Sequence, residues 1–422
     1  MPPGRLRTAE VIAVGSELLG TTRVDTNSLY LAGRLGSIGI QMRAKSVVGD
    51  DRTALADVLR GALGRVDLIV LSGGLGPTDD DVTREAVTDV LDLPMEEDPA
   101  LVERIRERFA RRGLRMPEVN RKQAMVPGGA TVLPNPRGSA PGLLIEHGSR
   151  VLVLLPGPPR ELQPMFDALA DGVLKERTAG ERLFSAVLFV VGRSESHVEE
   201  IAQPVYSRWK GAEPPIETTI LASPGQIELH LTMRSDDAAG AERQLGDARA
   251  QLAAAIGSDV FSLDGRPMER IVGELLGARG WTVSAAESCT GGLLLSRLTD
   301  VPGSSAWVLG GCVAYSNASK PMFADVPEAL IQAHGAVSEP VAVALAEGIR
   351  ARVGSDVGVG ITGIAGPTGG TPAKPVGTVA IAVVGPDRLA QVRTAWLPGG
   401  RGQVKFNATQ TALDMVRRLL LE

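Results

Sequence analysis

Cysteine is almost missing from this chain, and its two copies, Cys289 and Cys312, are too few for a disulfide scaffold in 422 residues. The four histidines are scattered, with no metal-ligand spacing between any two, so no histidine-built metal centre is expected. Aromatic residues are only 3%, which leaves core packing to aliphatic side chains. No apolar run is long enough for a secretory h-region or a membrane span, which implies a cytoplasmic chain with no membrane partner. Excess positive charge is absent too. A net charge of −5 argues against a nucleic-acid surface over the whole molecule.

What is present is an ordinary globular composition, 44% hydrophobic and 22% charged, long enough for two or three domains. The 50 glycines imply many tight turns. Residues 7 to about 175 alternate strand and helix patterns. Ala9 to Val14, Ile40 to Val47, Asp67 to Leu71 and Val151 to Leu155 read as strands, with Thr26 to Leu35 and Arg52 to Leu63 as helices. That order predicts right-handed βαβ units and a mostly parallel sheet. Pro99 to Arg112 reads as a charged, solvated helix. From about 176 to 264 the pattern becomes a small β-α-β-β-α unit, and Leu263 to Pro267 reads as a linker into a third α/β domain over 265–422.

Chemistry gathers in that last domain. Ala286-Glu287-Ser288-Cys289-Thr290-Gly291-Gly292, Tyr315-Ser316-Asn317-Ala318-Ser319-Lys320 and Thr362-Gly363-Ile364-Ala365-Gly366-Pro367 each follow a short apolar run. Their polar residues therefore sit where strands end, as ligands do in open α/β sheets. Ser288 on a strand-to-helix turn would lie beside backbone N–H groups able to hold an oxyanion. A serine needs a base, and no histidine occurs in these motifs, so Lys320 with a burial-lowered pKa is the candidate. Tyr315 can relay a proton or hold the lysine, and Thr362 with Gly363 supplies a second turn. Cys289 is a rival nucleophile by its lower intrinsic pKa, yet a small buried hydrophobe is the better reading of it. The string Gly358-Val359-Gly360-Ile361-Thr362-Gly363 matches a dinucleotide fingerprint only in letters, because its first glycines fall inside the strand.

In the first domain, Ser72-Gly73-Gly74-Leu75-Gly76-Pro77-Thr78-Asp79-Asp80-Asp81 follows an apolar strand. The glycines Gly73, Gly74 and Gly76 let backbone N–H groups, with Thr78, close on a phosphate. Carboxylates just beyond would repel that phosphate unless a divalent cation lies between, with Asp80 and Asp81 as its ligands. Asn27, in Asp25-Thr26-Asn27, is placed with this phosphate loop.

These motifs carry a resemblance. The three C-terminal strings, with Gly303-Ser304-Ser305-Ala306-Trp307, Gly335-Ala336-Val337-Ser338-Glu339-Pro340 and Lys374-Pro375-Val376-Gly377-Thr378, resemble the CinA C-terminal domain. The resemblance implies a serine–lysine hydrolase that deamidates nicotinamide mononucleotide to nicotinate mononucleotide and ammonia, without a cofactor. Ser288 matches the nucleophile and Lys320 the base. Ser304, Ser305, Tyr315 and Thr362 match positions around the substrate, and Thr290, Gly291, Gly363, Gly366 and Lys405 complete the implied substrate-binding set. Lys405 stands where the family often has arginine, which implies a weaker bidentate phosphate grip. Pro321 should hold Lys320 in extended backbone angles.

Gly15 to Gly20, Asn135 to Gly142 and Leu155-Pro156-Gly157-Pro158-Pro159 resemble the molybdopterin-binding fold found at the CinA N-terminus. That fused architecture implies a metal-dependent ADP-ribose pyrophosphatase in a three-layer first domain, a KH-type middle domain and a homodimer. The middle segment lacks a Gly-x-x-Gly clamp, so RNA binding is not expected. Two other functions fit parts of the pattern: molybdenum-cofactor metabolism, and a non-catalytic partner in competence or damage response. A scaffold has no use for Ser288, Lys320 and Thr362 together, and an acidic pI of 5.6 disfavours DNA.

Overall fold

The computed structural model describes residues 5–21, 23–178, 180–209, 211–386 and 389–422. They divide into two compact units, Met1–Phe184 with Met233–Arg243, and Ser185–Thr232 with Gln244–Glu422. Among them no helix is long and apolar enough to cross a membrane.

The first unit is built on β1 (Thr8–Val14), α1 (Asn27–Ser37), β2 (Gln41–Val48), α2 (Arg52–Leu63), β3 (Leu68–Ser72) and α3 (Thr83–Leu91). Next come β4 (Met95–Glu97), α4 (Pro99–Ala110) and β5 (Met125–Pro127), the two short strands forming their own antiparallel pair. β6 (Thr131–Leu133), β7 (Gly142–His147), β8 (Arg150–Leu155) and α5 (Pro159–Leu169) complete it. The main sheet runs β2-β1-β3-β8-β7-β6, parallel through β8 and antiparallel beyond. Alternating residues of its central strands face two cores. Val11, Val70 and Val153 pack with α1 and α5, while Ile12, Ile69 and Leu152 pack with α2 and α3. Burial on both faces is why these strands read as unbroken apolar runs.

The middle of the chain holds β9 (Arg182–Val190), α6 (Glu195–Tyr206), β10 (Glu217–Ser223), β11 (Gln226–Ser235), α7 (Ala238–Ile256) and β12 (Val260–Ser262), with strands ordered β10-β11-β9-β12. Val191 and Phe261 of this segment belong to the same core cluster as Val283, Ile361 and Val416.

The remainder is a second doubly covered sheet. Its elements are α8 (Met268–Arg279), β13 (Val283–Glu287), α9 (Leu293–Thr299), β14 (Val308–Val313), α10 (Ser319–Ala324), α11 (Glu328–His334), α12 (Glu339–Val353), β15 (Val357–Gly363), β16 (Thr378–Val384), β17 (Leu389–Trp396) and α13 (Arg401–Leu421). The order is β14-β13-β15-β16-β17, with β13 parallel to both neighbours and the last two strands antiparallel. A Cβ on Gly358 or Gly360 would collide with the carbonyls of Ala346 and Ala342, so these glycines let α12 press against β15. Their use is packing, and a dinucleotide plays no part in it.

Candidate functional site

Ser288 is the first residue past β13, and its N–H donates to the Ile361 carbonyl at 2.8 Å, fastening the turn to β15. Gly291 (φ 63°) and Gly292 (φ 89°) take the left-handed angles that let the chain reverse into α9. Ser288 ends up buried at 6% exposure. Lys320, 1% exposed, projects from the second position of α10. Its Nζ lies 3.3 Å from Ser288 Oγ, 3.0 Å from the Ala314 carbonyl and 3.4 Å from that of Ser316. No carboxylate is paired with it among the described residues. Burial lowers the Lys320 pKa, with only a smaller opposing effect from Cys289. Two carbonyls and one hydroxyl surround its Nζ, and when the amine is neutral its lone pair can turn to the hydroxyl while its N–H groups keep the carbonyls.

Pro321 does not force Lys320 into extended angles. Ser319, Lys320 and Pro321 form the first turn of α10, where a missing N–H costs little. Tyr315 does not hold the lysine either. It is 58% exposed, and its hydroxyl accepts from Arg401 at 2.8 Å. Arg401, at the start of α13, also donates to the Gly366 carbonyl at 2.9 Å, and its charge acts on the Cys289 thiol. The sequence reading missed Arg401 as a site residue. Its signal was the Gly399-Gly400 break immediately ahead of a helix. Lys405, one turn further along α13, brings its Nζ within 3.6 Å of where a Cβ on Gly291 would lie.

Other expectations need correction. The Glu287 carboxylate, fully buried, accepts the N–H groups of Gly292, Leu294 and Leu295, so most of the expected oxyanion donors are occupied. The amides of Cys289 and Thr290 are not among those the described hydrogen bonds use. Thr290 is fully buried and its Oγ1 has no partner. Thr362 is no open cradle, since its hydroxyl donates to the Ala336 carbonyl at 2.8 Å. Gly363 is paired within β15 and β16. Ser304 and Ser305 do not reach Ser288. They lead into the start of β14, and that strand is parallel to β13, so they lie at the opposite end of the sheet. Cys289, by contrast, is the small buried side chain expected of it and not a nucleophile, since burial pushes its thiol up to about 12.

In the first unit a cavity of ≈ 610 Å³ opens at the ends of β1, β3 and β8, where strand order reverses around β1. Gly73 (φ 112°) and Gly74 (φ 63°) would each clash if given a Cβ, against the Val14 carbonyl and Thr83 Oγ1. Asn27 donates from Nδ2 to Ser72 Oγ at 3.1 Å and to the Gly157 carbonyl, while its Oδ1 is buried without a partner. Asn27 is itself part of the lining of that ligand-sized space.

The predicted cation ligands fit a cation poorly. Asp81 turns inward and accepts from Gly76 N at 2.7 Å, Thr78 N at 2.9 Å and Thr78 Oγ1 at 2.6 Å. Asp80 is exposed, and a Thr78 hydrogen bond holds its carboxyl below the usual range. Among the described residues no three His, Cys, Asp or Glu side chains gather as a metal-holding group. Asp81 is therefore the clasp of the glycine loop. Asp81→Ala should destabilise this unit by about 1–3 kcal/mol, as loss of hydrogen bonds to a charged group does. Urea unfolding of the full chain measures it, and an unchanged midpoint would refute the clasp.

Comparison with known proteins gives two matches within the chain: a CinA C-terminal domain over residues 265–420 and a probable molybdopterin binding domain over residues 10–176. A CinA-like protein of Koribacter versatilis is 46% identical over 418 residues, 98% of this chain and 100% of that one. A putative competence-damage inducible protein of Symbiobacterium thermophilum is 45% identical over 424 residues, 98% of this chain and 99% of that one. The solved structure of the protein CinA from Thermoplasma acidophilum is 32% identical, with a TM-score of 0.38, over 40% of this chain and 98% of that one. The chain belongs to the CinA family.

Proposed function

We propose that this CinA-family chain is an amidohydrolase whose C-terminal domain converts nicotinamide mononucleotide and water to nicotinate mononucleotide and ammonia. One observation carries the reading: a buried lysine amine, with no carboxylate paired to it among the described residues, 3.3 Å from the hydroxyl of a buried serine. Lys320 takes the proton of Ser288 as Oγ attacks the carboxamide carbon, and Lys320 then returns that proton to the departing nitrogen. Ammonia leaves, and an acyl-serine forms. Water, deprotonated by the same amine, attacks the ester, releases the carboxylate and restores Ser288. The amides of Cys289 and Thr290, with the unpartnered Thr290 hydroxyl, are the donors available to the oxyanion.

The substrate class follows from the family resemblance together with two cations at the rim. Arg401 keeps further N–H donors beyond those on Tyr315 and Gly366, and Lys405 has no ion-pair partner among the described residues. Both suit a 5′-phosphate. Ammonia release on adding nicotinamide mononucleotide to the purified chain tests the activity, and no release sinks it. Arg401→Gln should raise KM about tenfold, with kcat nearly unchanged, for the mononucleotide. Nicotinamide riboside, which lacks the phosphate, should be insensitive to the substitution. Equal effects on both would remove Arg401 from phosphate recognition.

For the first unit we infer that the crevice at β1, β3 and β8 holds a nucleotide. The orphaned Asn27 Oδ1 and the two steric glycines support this.

A further inference from the structure

The helix α4 carries a row of arginines that the crevice reading leaves unused. Arg104, Arg108 and Arg111 follow at intervals of four and three, so they stand in one stripe beside the buried Leu101 and Ile105. The stripe forms one wall of a groove of ≈ 200 Å³, whose other wall is the loop Pro134–Pro141. None of the three has a carboxylate partner among the described residues, whereas Arg106, on another side of the helix, is paired with Glu103. Arg108 only brushes the Pro136 carbonyl, at 3.4 Å. Three unpaired guanidinium groups converging on a groove is unusual in a chain whose net charge is −5.

The groove is too small for a whole ligand, since such sites usually exceed about 300 Å³. It is not isolated, however. Ser139 lines both it and the ≈ 610 Å³ crevice. The two spaces differ sharply in charge. Glu17, Asp25, Asp50, Asp80 and Glu161 line the crevice with Arg23 as its cation, while the groove offers guanidinium groups and proline rings. Glu161, which accepts from Asn135 Nδ2 at 2.8 Å, stands at the junction, and Glu107 flanks the arginine stripe on α4. A phosphate would be repelled from the crevice floor and held beside the arginines.

We propose that the groove between α4 and the Pro134–Pro141 loop binds the phosphate end of a nucleotide whose neutral nucleoside end lies in the crevice. This rests on the reading of the crevice as a nucleotide site. The arrangement favours a small ligand over a nucleic acid, because the groove is short and meets the crevice at Ser139.

The test is calorimetric titration of the full chain with ADP and with adenosine. ADP should bind more tightly than adenosine, and Arg108→Gln should weaken ADP about three- to tenfold. The triple variant Arg104→Gln, Arg108→Gln, Arg111→Gln should weaken it at least about thirtyfold and flatten its salt dependence, with adenosine unchanged. Arg106→Gln removes the same charge outside the groove and should have no effect. These positions are exposed or half-buried, so thermal unfolding should stay near that of the parent chain. If Arg106→Gln matches Arg108→Gln, or ADP binds no better than adenosine, the groove proposal fails while the crevice reading stands. If neither ligand binds, both fail. Tighter binding of a short single-stranded RNA through the same arginines would overturn the small-ligand assignment.

Discussion

Ser288→Ala lowers the proposed deamidation by at least about a hundredfold and leaves the chain folded. The fold tolerates the change because the Ser288 backbone, not its side chain, bonds to Ile361, and among the described residues the hydroxyl is hydrogen-bonded to Lys320 alone. Alanine also suits a buried turn between β13 and α9. Cys289→Ala costs far less, since a thiol raised to about 12 supplies almost no thiolate near neutral pH. Steady-state ammonia release, with thermal unfolding as the control, separates the two variants. Activity that survives in Ser288→Ala and vanishes in Cys289→Ala would reverse the assignment of the nucleophile.

Lys320→Arg is expected to be almost as damaging as Lys320→Ala, by about 10²–10⁴-fold in kcat, the range for loss of a general base. Arginine keeps the charge but cannot release its proton in the working range, and its planar fork does not fit a pocket shaped for one amine. The pH dependence carries the sign. Burial lowers the pKa of Lys320 in the folded state, so the neutral amine forms at lower pH than in a free lysine. Activity should therefore rise with pH along one deprotonation whose midpoint lies below the ordinary lysine value. The same shift means the folded state binds fewer protons than the unfolded one between those two pKa values. Stability should thus rise with pH across that window and lose this contribution below it. An active Lys320→Arg enzyme would reduce Lys320 to an electrostatic role. So would a rate flat with pH up to the free-lysine range.

Much of the fold was legible in the residue order. The helices Arg52–Leu63, Glu195–Tyr206 and Ala238–Ile256 coincide with their periodic stretches, because amphipathic spacing is a property of the local chain. The strands that precede Ser288 and Tyr315, and the one that ends with Thr362 and Gly363, were readable for a similar reason. Buried parallel strands are short apolar runs stopped by glycine or polar turns. Position at a strand end is enough to bring Ser288 and Lys320 into one region.

Partnership was not legible. Tyr315 bonds to Arg401, Thr362 to Ala336, and the Glu287 carboxylate caps the helix that follows it. In each case an equally plausible nearer or different partner existed, and only packing selected among them. Ser304 and Ser305 lie close in sequence to β14, but the parallel pairing of β13 and β14 sends them to the wrong end of the sheet. Asp81 reads as a cation ligand until the loop closes and its oxygens meet Gly76 and Thr78. The sequence by itself determined the α/β class, the strand-end placement of the polar motifs and the candidacy of Ser288 and Lys320 as partners, since these follow from periodicity and residue chemistry. Tertiary structure alone decided which donors stay free, which carboxylates are occupied and where the unpaired arginines converge. Those outcomes depend on contacts between residues far apart in the chain, and side-chain spacing along one strand or helix does not encode them.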